Sequence, residues 1–442
     1  MMIKMKTITQ ILMFILMALG LSCSSSDDSN GVRVGGPIIP AGPSDPTVLQ
    51  SDASTIMSSE TKQDISGFGA ATVFRLNSPL SANDMDKLYG NDEGEIGLSI
   101  LRIRVAPDDN SRAIELNHAQ MASNRGALVM ATPWSPPADM KTNNDLIGGS
   151  LKTESYEDYA NYLNDFASYM DANGVPLEVI SIQNEGDYEV SYESCNWSAA
   201  QVRDFMRDYG GLITNTKLMP SESFQFRHEH TDLTLNDPVA VDNVDIVGGH
   251  IYGTALDNYP YPLAMEKGKE LWMTEHYTSS DRSANLWPDA LLVGREIHNC
   301  MTIGQYNAYV WWYGKRYYSF IGDGEEGTSN GVVTKRGYVM SNFSKFIKPG
   351  YTRIGADENP QTGISISAYS GEGKIVVVAI NQSEQTVEQQ IVLTGTNSTT
   401  VTPYITSASQ NLETQEAVSI EPSIEAYLYD LPPNSITTFV TN

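Results

Sequence analysis

Two glutamates in this chain stand where a carboxylate can do more than face solvent. Glu185 closes the apolar run VISIQNEGD and Glu275 closes ELWMTEHY, both short stretches of strand-like composition. An isolated glutamate at a strand end is ordinarily a solvated side chain. Here Asn184 directly precedes Glu185, and aromatic residues crowd both positions. Cleaving a glycosidic bond needs two carboxyl groups on opposite faces of a sugar ring: one protonated to assist the leaving oxygen, one ionised. Tyr277, Ser279 and Ser280 follow Glu275 closely and add hydroxyls for sugar contacts. All six tryptophans lie between residues 134 and 312, and tyrosine outnumbers phenylalanine 23 to 11. Flat rings with a polar edge suit sugar faces. Trp134 and Trp312 read as cleft walls, whereas Trp311 reads equally well as core.

Residues this far apart in sequence must be brought together by the fold. Apolar strand candidates occur at 65–69, 98–105, 128–132, 177–183, 217–221, 244–252, 270–275 and 308–313. Between them lie stretches with helical periodicity. Tyr159, Tyr162, Leu163, Phe166 and Met170 make one apolar face; Val202, Phe205, Met206 and Tyr209 make another. Such alternation predicts an α/β fold of parallel strands and crossover helices. Eight units suit a closed (β/α)8 barrel spanning 63–346, whose chemistry sits at the C-terminal ends of its strands. An open doubly wound sheet is the alternative, but no GxGxxG turn follows any strand. Glu185 and Glu275 end the fourth and seventh strands, which face each other across a barrel mouth. Residues 347–442 alternate like strands between Gly, Asn, Ser and Pro turns, predicting an all-β sandwich. Residues 46–62 are expected to lend it a strand. It holds no tryptophan, so bracing the barrel suits it better than independent carbohydrate binding.

Composition narrows the partners. Among 442 residues, 28 Lys and Arg stand against 54 Asp and Glu, a formal charge of −26. A surface that acidic repels phosphate backbones, so nucleic acid is excluded as a partner. Three cysteines exclude a disulfide scaffold. Residues 1–22 read as a secretory leader, with Lys4 and Lys6 ahead of an apolar run. Its ending, Gly20-Leu21-Ser22-Cys23, resembles a bacterial lipobox with Cys23 as the lipidated residue. The SSSDD that follows resembles an acidic export tag of surface lipoproteins. Residues 23–45 then read as a flexible tether. The chain is therefore expected to be an exported, monomeric lipoprotein of the outer membrane, facing outward and attached by lipid alone. Cys195 and Cys300 read as two separate thiols.

The motifs together resemble glycoside hydrolase family 30, a retaining family of barrel hydrolases. They are ATPWSPPADMKTN at 131–143, IQNE at 182–185, GGHIYGT at 248–254, LWMTEHY at 271–277, YVWWYGKR at 309–316 and TKRGYVMSNFSKFIKPGY at 334–351. The last two, with LWPDA at 286–290, resemble its bacterial glucuronoxylanase branch. The resemblance implies Glu185 as acid/base and Glu275 as nucleophile. It implies that Asn184 bonds the 2-hydroxyl, that Tyr252 contacts the nucleophile, and that Arg102 keeps the nucleophile ionised. Trp134, Trp312 and Tyr313 then line the sugar subsites. Arg316 matches an arginine that grips a glucuronic acid branch, a task suited to a planar guanidinium. The family usually carries proline after the acid/base, where this chain has Gly186, which is expected to loosen that loop. The acidic insertion at 320–331 is expected to reshape the Arg316 subsite.

Other signals carry less. The GTSNG at 327–331 matches an esterase pattern, but no histidine follows it, as that fold requires. His228-Glu229-His230 lacks further ligands, and the acids at 108–109 and 323–326 lack calcium-loop spacing. No metal or cofactor is expected. The sequence thus points to a retaining endo-β-1,4-xylanase acting on glucuronoxylan. The alternatives are the same fold on another β-glycan (unbranched or arabinosyl xylan, or a β-1,6-glycan) and a surface glycan-binding lipoprotein without catalysis.

Overall fold

Why the active face forms where it does follows from side-chain alternation along eight short strands. The computed structural model describes residues 45–278 and 281–442. The leader, Cys23, nearly all of the tether, Ser279 and Ser280 lie outside the described residues. After β1 (Ser54–Ile65) come the barrel strands: β2 (Gly67–Ala71), β3 (Ile100–Arg104), β4 (Leu128–Thr132), β5 (Val179–Ser181), β6 (Lys217–Met219), β7 (Ile246–His250), β8 (Glu270–His276) and β9 (Ala308–Trp311). All pair in parallel, in the order β6-β5-β4-β3-β2-β9-β8-β7. The ends β6 and β7 meet through a parallel bridge between Ser223 and Gly249, just beyond β6. The expected barrel is thus present, with strands shorter than the apolar runs because the run ends turn into loops.

Between strands run α1 (Ala82–Tyr89), α2 (Asp109–Ser123), α3 (Tyr156–Ala172), α4 (Ala199–Asp208), α5 (Asp232–Asn236), α6 (Pro262–Glu266), α7 (Asp289–Thr302) and α8 (Lys335–Ser344). Ser81 and Ser198 start α1 and α4 with reciprocal capping boxes, satisfying amide groups that a helix start leaves open. Inside the barrel, Ile100, Met130, Val179, Met219, Ile246, Trp272, Ala308 and Val310 pack together. Their neighbours Leu101, Val129, Ile180, Leu218, Val247, Leu271 and Met273 point outward to the helices. That period of two sends Arg102, Thr132 and His250 inward at the strand ends. None of the described helices is long and apolar enough to cross a membrane.

Beyond α8 come β10 (Tyr351–Ala356), β11 (Ile364–Gly371), β12 (Lys374–Asn381), β13 (Val387–Thr394), β14 (Thr400–Thr406), β15 (Glu413–Thr414), β16 (Val418–Ser419), β17 (Ala426–Leu431) and β18 (Ser435–Thr441). With β1 they form a largely antiparallel domain, in which β1 pairs with β10 and, in parallel, with β13. It closes over its own core of Ile56, Ile354, Ile366, Val377, Leu393, Tyr427 and Phe439. Its opposite face is continuous with the barrel core: Tyr369, Val376, Val378, Ile380 and Ile436 pack into the same cluster as Val293, Val339 and Phe343. Side chains stitch the seam. Trp287 Nε1 donates to the Asn434 carbonyl at 2.9 Å, and Asn342 Nδ2 to Thr406 Oγ1 at 2.7 Å. Cys195 and Cys300 are free, buried thiols.

Candidate active site

Strict alternation along β8 would turn Glu275 outward, because Trp272 faces in and Met273 faces out. A bulge prevents this. Gly249 pairs with Met273 but His250 pairs with Glu275, so Thr274 is one residue extra on β8. The bulge flips Glu275 into the barrel mouth and leaves His276 facing α7, where its Nδ1 lies 2.8 Å from Glu296. Glu185 is re-aimed differently, by a left-handed backbone with φ of 48°. Non-glycine residues rarely adopt that conformation, and they do so where the surroundings over-determine it.

The two carboxyl groups meet across the mouth. An oxygen of Glu185, a ring nitrogen of His250 and an oxygen of Glu275 all lie within 4.8 Å of one another. So close an approach of facing oxygens suits a retaining pair, whose carboxyl groups stand roughly 5–5.5 Å apart, better than an inverting pair at roughly 6.5–9.5 Å. Glu275 Oε2 accepts from Arg102 Nη1, and its Oε1 accepts from the Tyr252 hydroxyl at 2.9 Å. Glu185 Oε2 accepts from the Tyr192 hydroxyl at 2.8 Å, and its Oε1 lies 2.9 Å from His250 Nδ1. Arg102 Nη2 donates to Asn184 Oδ1 at 2.7 Å, which leaves the amide hydrogens of Asn184 for a ligand.

A third acid underlies the pair. Glu222 is fully buried and accepts from Thr132 Oγ1 at 2.8 Å, Ser181 Oγ at 2.6 Å and Arg102 Nη2 at 3.1 Å. It also faces His250 Nε2 at 3.5 Å. Burial alone would raise its carboxyl, but Arg102, His250 and Ser181 hold it far below the usual range. His250 answers in kind. Burial pulls its imidazole down, yet Glu275, Glu185 and Glu222 together raise it to about 10. Burial and the Glu185 charge raise Glu275 above the usual carboxylate range, and His250 and Arg102 offset only part of that. Three acids thus face two cations, and one proton on the acids makes the group neutral. Glu185, His250 and Glu275 are the one trio among the described residues close enough to share a metal ion. A charged His250 and the Arg102 guanidinium oppose a cation there.

A cleft of ≈ 450 Å³ opens above, lined by Phe74, Trp134, Glu185, Tyr192, Glu193, Phe224, Tyr252, Glu275, Tyr277, Trp312 and Tyr313. Of the residues singled out in the sequence, Trp134, Tyr252, Tyr277, Trp312 and Tyr313 therefore stand with the two glutamates, and Arg102 and Asn184 lie directly behind them. Arg102 sits 4.8 Å from the centre of the Trp134 ring, beneath the cleft. Trp311 is fully buried core. Arg316 is exposed, 5.3 Å from the centre of the Tyr313 ring. The 320–331 insertion folds back beside it, with the Arg316 amide donating to the Ile321 carbonyl at 3.0 Å. Gly186 is not slack. Its carbonyl accepts from the Trp197 amide at 2.8 Å, and a Cβ there would meet Ser221 Oγ at 2.5 Å.

Sequence reasoning missed Glu222, His250, Tyr192, Phe74 and Phe224. His250 lies inside the GGHIYGT motif, so the signal was present; Glu222 and Phe224 lie just past a three-residue strand that conceals them.

Comparisons with known proteins follow the same outline. No family model matches the chain. It is 42% identical over 409 residues to the glucuronoxylanase XynC of Bacillus subtilis (strain 168), covering 91% of this chain and 94% of that protein. Among solved structures, it resembles Xyn30A, a family 30 subfamily 8 xylanase of Clostridium acetobutylicum. The TM-score is 0.81 and identity 39%, over 89% of this chain and 100% of that one. A family 30 endoxylanase of Clostridium papyrosolvens C71 matches with TM-score 0.79 and 37% identity, over 88% and 100%.

Proposed function

The chain belongs to glycoside hydrolase family 30, in its glucuronoxylanase branch, and on that premise we propose that it is a retaining endo-β-1,4-xylanase that hydrolyses glucuronoxylan. The observation that carries the mechanism is the close opposition of Glu185 and Glu275, each with its own set of donors. Glu275 attacks the anomeric carbon while Glu185 gives its proton to the departing oxygen, forming a glycosyl–enzyme ester. Glu185, now ionised, takes a proton from water; that water attacks the anomeric carbon and releases Glu275 with the configuration retained. Arg102 and Tyr252 stabilise the attacking carboxylate, and Asn184 donates to the 2-hydroxyl, a contact that tightens in the transition state.

Arg316 supplies the specificity in this reading: an exposed guanidinium beside the cleft, set against the Tyr313 ring, suits a glucuronate branch. The leader and the lipobox-like Cys23 support an exported lipoprotein attached to the outer membrane, acting as a monomer on polysaccharide outside the cell. The test is parallel digestion of glucuronoxylan and neutral arabinoxylan, with product masses. Oligomers carrying one glucuronic acid each, from glucuronoxylan alone, are expected. Arg316→Ala should lower kcat/KM on glucuronoxylan roughly 10- to 100-fold, the worth of a charged hydrogen-bonded pair. Equal cutting of both polymers by the wild type removes branch recognition; no cutting of either removes the xylanase assignment.

A further inference from the structure

The acid donates its proton to the oxygen that departs, so the departing half of the polymer leaves past Glu185. This flank of the cleft is lined by aromatic rings that no core requires. Tyr188 and Tyr192, on the loop after β5, are 39% and 48% exposed. Tyr188 stacks on Phe224, rings nearly parallel at 6° and centroids 3.8 Å apart. Phe224 in turn stacks against Tyr252 at 5.1 Å, which reaches the nucleophile. Single exposed aromatics are common on any surface, but these three lie together, and two of them line the cleft with Glu185.

The arrangement is built in advance of any ligand. Asp187 ties the β5 loop to the β6 loop: its carboxylate accepts from Ser223 Oγ at 2.7 Å and from the Phe224 amide at 2.9 Å. The Tyr188 amide donates to the Glu185 carbonyl at 3.0 Å, fixing the turn directly after the acid. Beyond Phe224 lies a second hollow of ≈ 360 Å³, rimmed by Gln225, Arg227, His228, Gly253 and Thr254.

The charge on this flank selects the ligand. Arg227 is held by Asp187 at 3.3 Å and by Gln225 Oε1 at 2.5 Å, and Arg104 is paired with Glu193 through two of its nitrogens. Glu189 is exposed on the same loop. Each of these two guanidinium groups is thus already matched by a carboxylate. Rings without an available cation favour a neutral sugar and disfavour a uronate.

We propose that Tyr188, Tyr192 and Phe224 form a leaving-side subsite for unbranched xylosyl units, from which a glucuronate-bearing unit is excluded. It rests on the xylanase reading above. A glucuronate branch is then accepted on the Arg316 side of the scissile bond and refused on the Glu185 side.

The test replaces exposed Tyr188, whose ring stacks on Phe224 and whose hold on Glu185 is through the backbone amide, which the substitution keeps. Tyr188→Ala is assayed on a xylo-oligosaccharide with one glucuronate on its glycone half, and on the fluoride of that same glycone. The fluoride fills no leaving-side position. A loss of about tenfold in kcat/KM on the oligosaccharide, with the fluoride rate within about twofold of wild type, is the expected result. Equal loss on both substrates, or loss on neither, overturns the subsite. In a second arm, a further glucuronate on the first leaving-side xylose should stop cleavage by the wild type; cutting at an undiminished rate overturns the exclusion. Wild type inert toward both the oligosaccharide and the fluoride overturns the xylanase reading, and the subsite with it.

Discussion

Glu222 shows how a residue that reaches no substrate can set the chemistry of those that do. It is a permanent buried anion facing His250 and Arg102. Arg102, His250, Glu185, Glu275 and Tyr252 crowd the same volume, so every proton there is held partly by its neighbours' charge. Removing the Glu222 charge takes away one of the anions that hold the His250 proton, so His250 releases it at lower pH. Glu222→Gln is therefore expected to lower kcat and to move the alkaline limb of the kcat/KM profile to lower pH. An alkaline limb that stays put or rises would show that Glu222 only packs. Stability follows from the same shifts. His250 is raised above its unfolded value of about 6.5, so its contribution is complete below that pH and is lost as pH rises through about 10. Glu222 is depressed, so its contribution is present above about 4.5 and is lost as pH falls toward its lowered value.

At the scale of elements, two local irregularities aim the glutamates: the extra Thr274 on β8 and the left-handed Glu185 after β5. The second depends on what surrounds it. Gly186 lies against Ser221 Oγ and Trp197, with no room for a methyl group. The looseness expected of a glycine is therefore not what this position shows; it is a close contact between the β5 and β6 loops. Gly186→Ala should push these loops apart, displace Glu185 and lower kcat about tenfold, since small misplacements of a reacting group are costly. Ser221→Ala added to it removes the nearest obstacle and should restore part of the rate, measured by steady-state kinetics on glucuronoxylan. No recovery in the double variant would place the strain elsewhere.

Across the whole molecule, the barrel and the β-domain share apolar packing along α7 and α8. Arg295 on α7 reaches Ser365 and Gln382, and Lys335 on α8 donates to the Ser407 carbonyl at 2.7 Å. β1, from the start of the described chain, is bound into the β-domain before the barrel begins. Neither part can bury its seam face alone. Calorimetry should show one cooperative unfolding transition, and a fragment ending at Gly350 should be insoluble or aggregate, its α7 and α8 seam residues exposed. Two resolved transitions, or a soluble active barrel fragment, would mean that the seam is only a docking surface.

The sequence by itself determined the alternation of eight strands and their helices, because hydrophobic periodicity is a local property and each run carries its own. It also marked the two glutamates, Asn184 and the cleft aromatics Trp134, Tyr252, Tyr277, Trp312 and Tyr313, since short motifs keep their neighbours adjacent, while Arg102 came only with the family resemblance. Tertiary structure decided the rest. Whether Glu275 points inward depends on a bulge, and strict alternation, all that periodicity can offer, predicts the wrong face. His250 and Glu222 acquire meaning only through groups on β3, β5 and β8 that lie far away along the chain. The same holds for Gly186, whose character depends on Ser221 and Trp197 across the gap. Charge and packing act through space, and proximity in space is what a one-dimensional pattern does not encode.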